Sequence, residues 1–478
     1  MHVKTDPSII QSYLEDASNL KGGYAREVII PHNIDDISRI LQKANLKKIP
    51  VTVSGGGTGQ AGARIPFGGM VLSMEKFDHL GQIEKTSRGG CAISEAGVLI
   101  ADIKRACEKK NLFYTYDPTE QNAFLGGTIA TNAAGARSLR YGSTRKNVKR
   151  LTVVLPDGTI FTLKRGEIKA KRRVLEFSAG NKHYKIKLPS YSMPKVKNSA
   201  GYYVNDDMDL LDLFIGQEGT LCVIVEAELA LIDKPSGLFG VFVLFESEKE
   251  AQEFALVARN ADPLSLEYFN GRCVKLLSER YASTPRKKGA AIFLEDDITK
   301  TEDAVLEKWN NILKQCQVSQ EDTWVAMTEK GHRDFLDRRH YIPEQMSEMA
   351  KHSGFPKVST DLAVPLDKLA DMLKSYSVLQ REKDLQSFVF GHIGDGHLHV
   401  NMLPRDMKSY ERARRLQHDF VRKAVELRGT VSAEHGIGKT RKEFLRLLYG
   451  NKGIEEMIEV KKNLDCNMIL GVGNIFDL

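Results

Sequence analysis

Ser54-Gly55-Gly56-Gly57-Thr58-Gly59-Gln60-Ala61-Gly62 places five glycines in eight positions, directly after the short apolar run Ile49-Pro50-Val51-Thr52-Val53. Such a run is costly in chain entropy and marks close approach of the backbone to something else. Gly57 to Gly62 fits a GxGxxG pattern. A dinucleotide site of that kind, however, needs a helix to open at once, with its N-terminus facing the pyrophosphate. Here Ala63-Arg64-Ile65-Pro66-Phe67-Gly68-Gly69 follows, and then a further apolar run. That context disfavours a nicotinamide dehydrogenase. It suits a loop whose successive N–H groups cradle an anion without a helix.

Around this loop the pattern is mixed α and β. Asp6 and Pro7 read as the N-cap and first position of a helix over 6–20, and 33–46 as an amphipathic helix with acids in its first turn. Apolar stretches at 69–74, 91–98, 150–155 and 220–232, with a helix near 98–110, complete a first domain over 1–235. Residues 236–430 alternate strand (239–245, 264–269, 290–295) with helix (247–260, 270–281, 300–316), and the pattern recurs at 357–364, 366–380 and 386–392. This predicts an antiparallel sheet with helices on one face. Residues 431–478 form a glycine-bounded tail with a helix near 453–464, returning to the first domain. The fold class is α+β. The 478 residues exceed what one core holds.

Two further blocks share the character of the glycine loop. Asp117-Pro118-Thr119 precedes Leu125-Gly126-Gly127-Thr128-Ile129-Ala130-Thr131-Asn132-Ala133-Ala134-Gly135, followed by Arg140-Tyr141-Gly142-Ser143-Thr144-Arg145. Gly216-Gln217-Glu218-Gly219-Thr220-Leu221 runs into the apolar Cys222-Val223-Ile224-Val225. Small residues leave room for a flat group against the backbone. In order, spacing and identity the three blocks resemble the FAD domain of the vanillyl-alcohol-oxidase-type flavoproteins. The resemblance implies that Ser54, Gly55, Gly56, Gly57, Thr58, Gly59 and Gln60 cradle the pyrophosphate. Pro118, Gly126, Gly127, Thr131, Asn132 and Gly135, within 117–135, would line the flavin, the strand 219–225 with Gly219 and Ile224 would hold the adenine end by backbone contacts, and Tyr141, Gly142 and Glu218 complete the cofactor-binding set. Some relatives attach FAD through a histidine in the first loop or a nearby cysteine. This loop has neither, so the FAD is expected to be non-covalent.

Ser387-Phe388-Val389-Phe390-Gly391-His392-Ile393-Gly394-Asp395-Gly396-His397-Leu398-His399-Val400-Asn401 concentrates the chemistry. Asp395-Gly396 between apolar runs signals a two-residue hairpin turn. With that turn His392 pairs with His399, side by side on one face, and His397 and Asn401 share the face of His399. Two adjacent imidazoles suit one divalent metal. A third ligand is offered by Ser432-Ala433-Glu434-His435-Gly436. In an extended chain Glu434 and His435 face opposite ways, so one can bind metal while the other faces a substrate.

This half resembles the D-2-hydroxy-acid dehydrogenase branch of the same flavoproteins, which includes D-lactate dehydrogenase, the glycolate oxidase catalytic subunit and D-2-hydroxyglutarate dehydrogenase. The resemblance implies that His392, His399 and Glu434 hold a divalent metal, zinc before manganese or iron, and that His435 acts on the substrate. His397 stands where asparagine is frequent, which sets it beside the ligands. Asp337-Arg338-Arg339-His340-Tyr341-Ile342-Pro343 looks like the family's Arg-x-x-Ile-Pro segment, and Lys357-Val358-Ser359-Thr360-Asp361 like its lysine-led strand. Arg339 and Lys357 are then the anchors of a substrate carboxylate, with Asn401 a polar contact and Arg338 the rival of Arg339. The implied reaction is FAD-dependent oxidation of a small D-2-hydroxy acid. The alternative is a transferase like alkylglycerone-phosphate synthase, which shares the FAD fold. The tail Gly471-Val472-Gly473-Asn474 departs from the family's ending, which puts a flavin contact there in doubt.

Net charge is +7, and between Lys164 and Lys197 eleven Lys or Arg face only Glu167 and Glu176. The bland reading is a solvated basic hairpin. The sharper one is a contact with an anionic membrane surface or an acidic electron-accepting partner, whether a cytochrome or an electron-transfer flavoprotein; a quinone is the small-molecule alternative. No nucleic-acid module is recognisable. The six cysteines are scattered without a CxxC pair, and the N-terminus lacks an apolar secretory segment; both point to the cytoplasm, with the inner membrane face as a peripheral station.

Overall fold

The computed structural model describes residues 1–477 apart from 117, 119, 285–287, 299 and 300. Asp117 and Thr119 of the expected flavin wall lie outside the described residues. Two sheets build the N-terminal part. One runs in the order 2–4, 27–30, 70–73, 51–54, with its last three strands parallel. The other is antiparallel, in the order 80–85, 90–95, 223–233, 148–154, 160–164. The glycine loop leaves the strand Val51–Ser54 and enters Met70–Ser73 without a helix in between, as expected.

Local chemistry sets the boundaries. Asn33 caps the helix Ile34–Lys47 by accepting from Asp36 N–H at 2.9 Å. Asp6 caps as expected, accepting from Ser8 N–H at 2.8 Å, but the helix lasts only from Pro7 to Ile10, with a 3-10 turn over Gln11–Tyr13. The expectation of helix to residue 20 fails because Asp16 accepts from Ser18 N–H at 2.9 Å. That turn competes with the helical bond, and Asn19 is left-handed at φ 57°. The basic stretch holds a hairpin, Val174–Ala179 with Lys182–Lys187.

The C-terminal part is an eight-stranded antiparallel sheet in the order 323–326, 238–245, 290–297, 265–270, 386–392, 397–403, 358–359, with 362–363 also on 397–403. Helices cover both of its faces, not one. The strand Leu238–Phe245 is apolar at both parities and nearly all buried. Phe239, Val241, Val243 and Phe245 share a cluster with Phe254 and Trp309, of the helices Glu248–Arg259 and Glu302–Gln315. Phe242 and Leu244 share another with Val274, Phe335 and Met346, of the helices Gly271–Arg280 and Glu329–Ser353.

The tail folds back onto the first domain. Val51 N–H donates to Ile469 O at 2.7 Å, and Gly471 N–H to Val51 O at 2.9 Å. Asn474 donates to Ala63 O at 3.0 Å and Glu218 O at 2.9 Å, so the unusual ending reaches the glycine loop all the same. Glu218 completes the clasp: its carboxylate accepts from Ile437 and Gly438 N–H at 2.8 and 2.7 Å.

Burial raises the Glu218 pKa to about 7, with the backbone donors and Arg441 acting the other way. A carboxyl raised in the folded state gives stability that is complete below its unfolded pKa of about 4.5 and lost as pH climbs to about 7. Glu218→Gln, which cannot ionise, is therefore expected to gain roughly 3 kcal/mol relative to wild type between pH 4.5 and 8, read from urea unfolding at both pH values. A pH-independent difference would refute the assignment.

Candidate active site

The hairpin that carries the histidines is registered two residues away from the expected pairing. His399 lies opposite Phe390 and Val400 opposite Val389. Ile393–Asp395 form a 3-10 turn closed by Gly396 at φ 64°, so the connection is longer than the two-residue turn read from Asp395-Gly396. A Cβ on Gly396 would strike Val364 O, which is why glycine stands there. The shift is even, so the facing survives: side chains alternate with period two, and His392, His397 and His399 still share one face. Their ring centroids lie 4.4 to 5.8 Å apart.

Glu434 enters this cluster from the tail. Its Oε1 lies 3.3 Å from His399 Nε2 and its Oε2 3.5 Å from His392 Nε2. Glu434 and His435 do not face opposite ways. The loop Ser432–Gly436 curls around the fully buried Asp361, whose Oδ2 accepts from Ser432 Oγ at 2.6 Å and His435 N–H at 2.9 Å. That curl turns both side chains inward: His435 Nε2 is 3.6 Å from Glu434 Oε1, and its ring stacks on His399 at 5.4 Å.

A layer of carboxylates orients the imidazoles. Glu267 Oε1 is 2.5 Å from His392 Nδ1, and its Oε2 accepts from Arg339 Nε at 3.0 Å. Asp361 Oδ1 is 3.0 Å from His397 Nε2, and its Oδ2 is 3.4 Å from His435 Nδ1 and accepts from Arg441 at 2.9 Å. Burial drives carboxylate pKa values up, yet His392 and Arg339 hold Glu267 down to about 2, and Lys197 and His392 hold Glu434 well below its ordinary value. Burial is also the main cause that lowers His435 to about 4 and His397 to about 3.

Lys197 comes from the basic stretch read as solvated, but its side chain is only 6% exposed. Its ammonium lies 2.8 Å from Glu434 Oε2 and donates to Gly135 O at 3.4 Å. It therefore joins the small-residue wall of 125–135 to the histidine cluster. Next to it, Ser199 Oγ donates to Asn132 O and Ala433 O at 3.1 and 3.2 Å, stitching the same two segments. Arg339 is brought to the cluster through Glu267, while Arg338 turns away to stack on Tyr281. Lys357 is partly buried, which lowers its pKa, as does nearby Arg441. Asn401 is buried opposite Phe388.

The glycine segments leave room for a cofactor. A Cβ on Gly59 or Gly127 would meet nothing within 4 Å, whereas one on Gly126 would strike Ala96. Gly126 thus packs the helix Leu125–Ala130 onto Ala96, just past the strand Gly90–Glu95, and Gly127 faces open space. Gly57, Gly142 and Gly219 hold positive φ. Asn132 holds φ 49° and accepts from Arg145 N–H. Ser54 is buried at the end of its strand, Gly55 and Gly56 lie near Phe124, and Thr58 and Gln60 flank the exposed Gly59. Thr131 Oγ1 donates to Gly127 O, Tyr141 packs near Phe113, and Pro118 and Ile224 are buried. The Glu218 side chain is spent on the tail clasp, which leaves its backbone for any adenine contact.

Four side chains escaped the sequence reading. Glu267 carried a signal, being a charge inside a strand buried at every position. Asp361 sat unremarked in the lysine-led strand. Lys197 and Arg441 gave none, since only the tertiary fold separates them from surface cations.

The chain matches the family described as FAD binding domain over residues 25–164, and that described as FAD linked oxidases, C-terminal domain, over residues 240–475. It is 30% identical over 474 residues to the glycolate oxidase subunit GlcD of Bacillus subtilis, covering 97% of this chain and 92% of that one. It is 30% identical over 460 residues to a D-lactate dehydrogenase of Archaeoglobus fulgidus, covering 94% and 90%. It is 28% identical over 489 residues to a D-2-hydroxyglutarate dehydrogenase of Stutzerimonas stutzeri, covering 99% and 96%. Among solved structures, an alkyldihydroxyacetonephosphate synthase superposes with a TM-score of 0.69 at 15% identity, over 98% of this chain and 82% of that one; this is a likeness of fold alone.

Lys197→Met would leave the buried Glu434 carboxylate without its nearest cation. Without added metal, the variant is expected to be less stable than wild type by roughly 3 kcal/mol in urea unfolding. A difference near zero would mean that the pair is not formed.

Proposed function

We infer the reaction from the family: the chain belongs to the FAD-linked oxidases and is an FAD-dependent oxidoreductase of the class acting on CH–OH groups. We propose that it oxidises a small D-2-hydroxy acid, of the D-lactate, glycolate or D-2-hydroxyglutarate class named for its relatives, to the 2-oxo acid. FAD would be held without a covalent bond by Ser54–Gln60, the 118–142 wall and the backbone of 218–224. A divalent metal, zinc before manganese or iron, would be held by His392, His399 and Glu434.

One observation carries this reading. Lys197 touches both Gly135, on the expected flavin wall, and Glu434, in the imidazole cluster, so the two sites adjoin. The donor set fits a cation. Apart from its ion pair with Lys197, Glu434 Oε2 has no hydrogen bond among the described residues, nor has either nitrogen of the buried His397, and the ligand atoms of His392, His397, His399 and Glu434 lie within 4.8 Å of one another. Glu434, Asp361 and Glu267 are each already matched by one cation, Lys197, Arg441 and Arg339. An added divalent ion would leave the pocket positive, which favours an anionic substrate.

When bound, the flavin would accept the C2 hydride at N5 and the metal would polarise the 2-hydroxyl. The chain's own residues supply the rest. Arg339 and Lys357 fix the substrate carboxylate and so decide which C–H faces the flavin wall, with Asn401 a polar neighbour. His435 is half-buried, its side chain 18% exposed, and desolvation lowers its pKa to about 4. Its Nδ1 lies 3.4 Å from Asp361 Oδ2 and 3.3 Å from the donor Arg441 Nη2; the role as base requires the proton on Nδ1, turned to Asp361, so that Nε2 takes the hydroxyl proton.

Anaerobic stopped-flow with D-lactate, glycolate, D-2-hydroxyglutarate and D-malate should bleach the bound flavin with at least one of them; silence from the whole panel would contradict the proposal. His435→Ala should slow that bleaching by roughly 10²–10⁴-fold with FAD still bound, and unchanged reduction would remove the role given to His435. Chelation should abolish turnover and leave the protein yellow.

A further inference from the structure

The sequence sets His397 beside the metal ligands, but the structure gives it the same build as the two histidines assigned to the ion. We propose that His397 is a third imidazole ligand, so that three histidines and one glutamate form the coordination sphere; this rests on the metal reading above.

Each of the three rings has one nitrogen on an orienting oxygen and the other turned toward Glu434. For His392, Nδ1 faces Glu267 Oε1 at 2.5 Å and Nε2 faces Glu434 Oε2 at 3.5 Å. For His399, Nδ1 faces Thr360 O at 3.4 Å and Nε2 faces Glu434 Oε1 at 3.3 Å. For His397, Nε2 lies 3.0 Å from Asp361 Oδ1, an ion-pair distance without the alignment of a hydrogen bond, and Nδ1 faces Glu434 Oε2 at 4.0 Å. An outer carboxylate or carbonyl that fixes tautomer and ring direction is the usual companion of a metal-bound histidine. Ligands held about 2.1 Å from one ion stand about 3–4 Å apart, so the observed separations need only a small contraction.

Two arguments favour the third ring as a ligand over a filler. His397 is fully buried, and neither of its nitrogens has a well-formed hydrogen bond among the described residues, a cost that coordination through Nδ1 would offset in part. Lys197, 2.8 Å from the same Glu434 oxygen, repels a divalent ion. A neutral imidazole adds a donor without adding charge, and so restores affinity that this cation removes. His435, also near Glu434, is kept by its reading for the substrate proton.

The test is zinc affinity of the FAD-loaded enzyme after metal stripping, by titration of Zn²⁺ against a chromophoric chelator, with bound zinc per flavin from elemental analysis. Wild type should bind one zinc. His397→Asn and His397→Gln should bind it more than about 100-fold more weakly, beyond the roughly 10–100-fold that loss of a partner outside the coordination sphere costs, while keeping their flavin, which shows that the fold is intact. Wild-type affinity in both variants, with zinc lost in His392→Ala, would overturn the inference and leave the metal reading standing. A wild-type protein that takes up no zinc would overturn both.

Discussion

A carboxylate as enclosed as that of Glu434, its side chain 10% exposed, needs counter-charge, and much of the C-terminal half is arranged around meeting that need. Lys197 supplies the nearest cation, and four imidazoles converge on the two oxygens. Those rings stay in place because their outer nitrogens meet Glu267, Asp361 and a backbone carbonyl. Glu267 and Asp361 are in turn held by Arg339 and Arg441. Breaking one partner of such a pair leaves a largely desolvated charge uncompensated, so the network stands or falls together.

The fold brings this network to the small-residue wall of 125–135 through three separate segments. The sheet of the C-terminal part presents the histidines, and helices pack on both of its faces. The loop 432–436 curls because Asp361 gathers its N–H and hydroxyl groups. Segment 197–199 then ties that loop to Asn132 and Gly135. The tail clasp at Glu218 and Asn474 closes the other side against the glycine loop.

How much of this could be read in advance depended on how local each feature was. The helix-free glycine loop was legible, since proline and glycine act on neighbouring residues. The histidine face was legible despite a wrong turn, because an error of two residues preserves parity and an error of one would not. Helices on both sides of the sheet were missed, although LFGVFVLF, apolar at both parities, carried the hint. Lys197 counted as one more surface cation, and nothing near it in the chain marks it for burial. The inward turn of Glu434 and His435 depends on Asp361, some seventy residues away, and no extended-chain argument reaches it.

The most direct test of the central claim is anomalous diffraction at the zinc edge from crystals of the FAD-loaded enzyme. A single peak bonded to His392 Nε2, His399 Nε2 and a Glu434 oxygen, with the isoalloxazine ring adjoining it against 125–135, is the expected result. An empty cluster in which the Lys197 ammonium remains the only cation on Glu434, or a ring lying elsewhere, would contradict it.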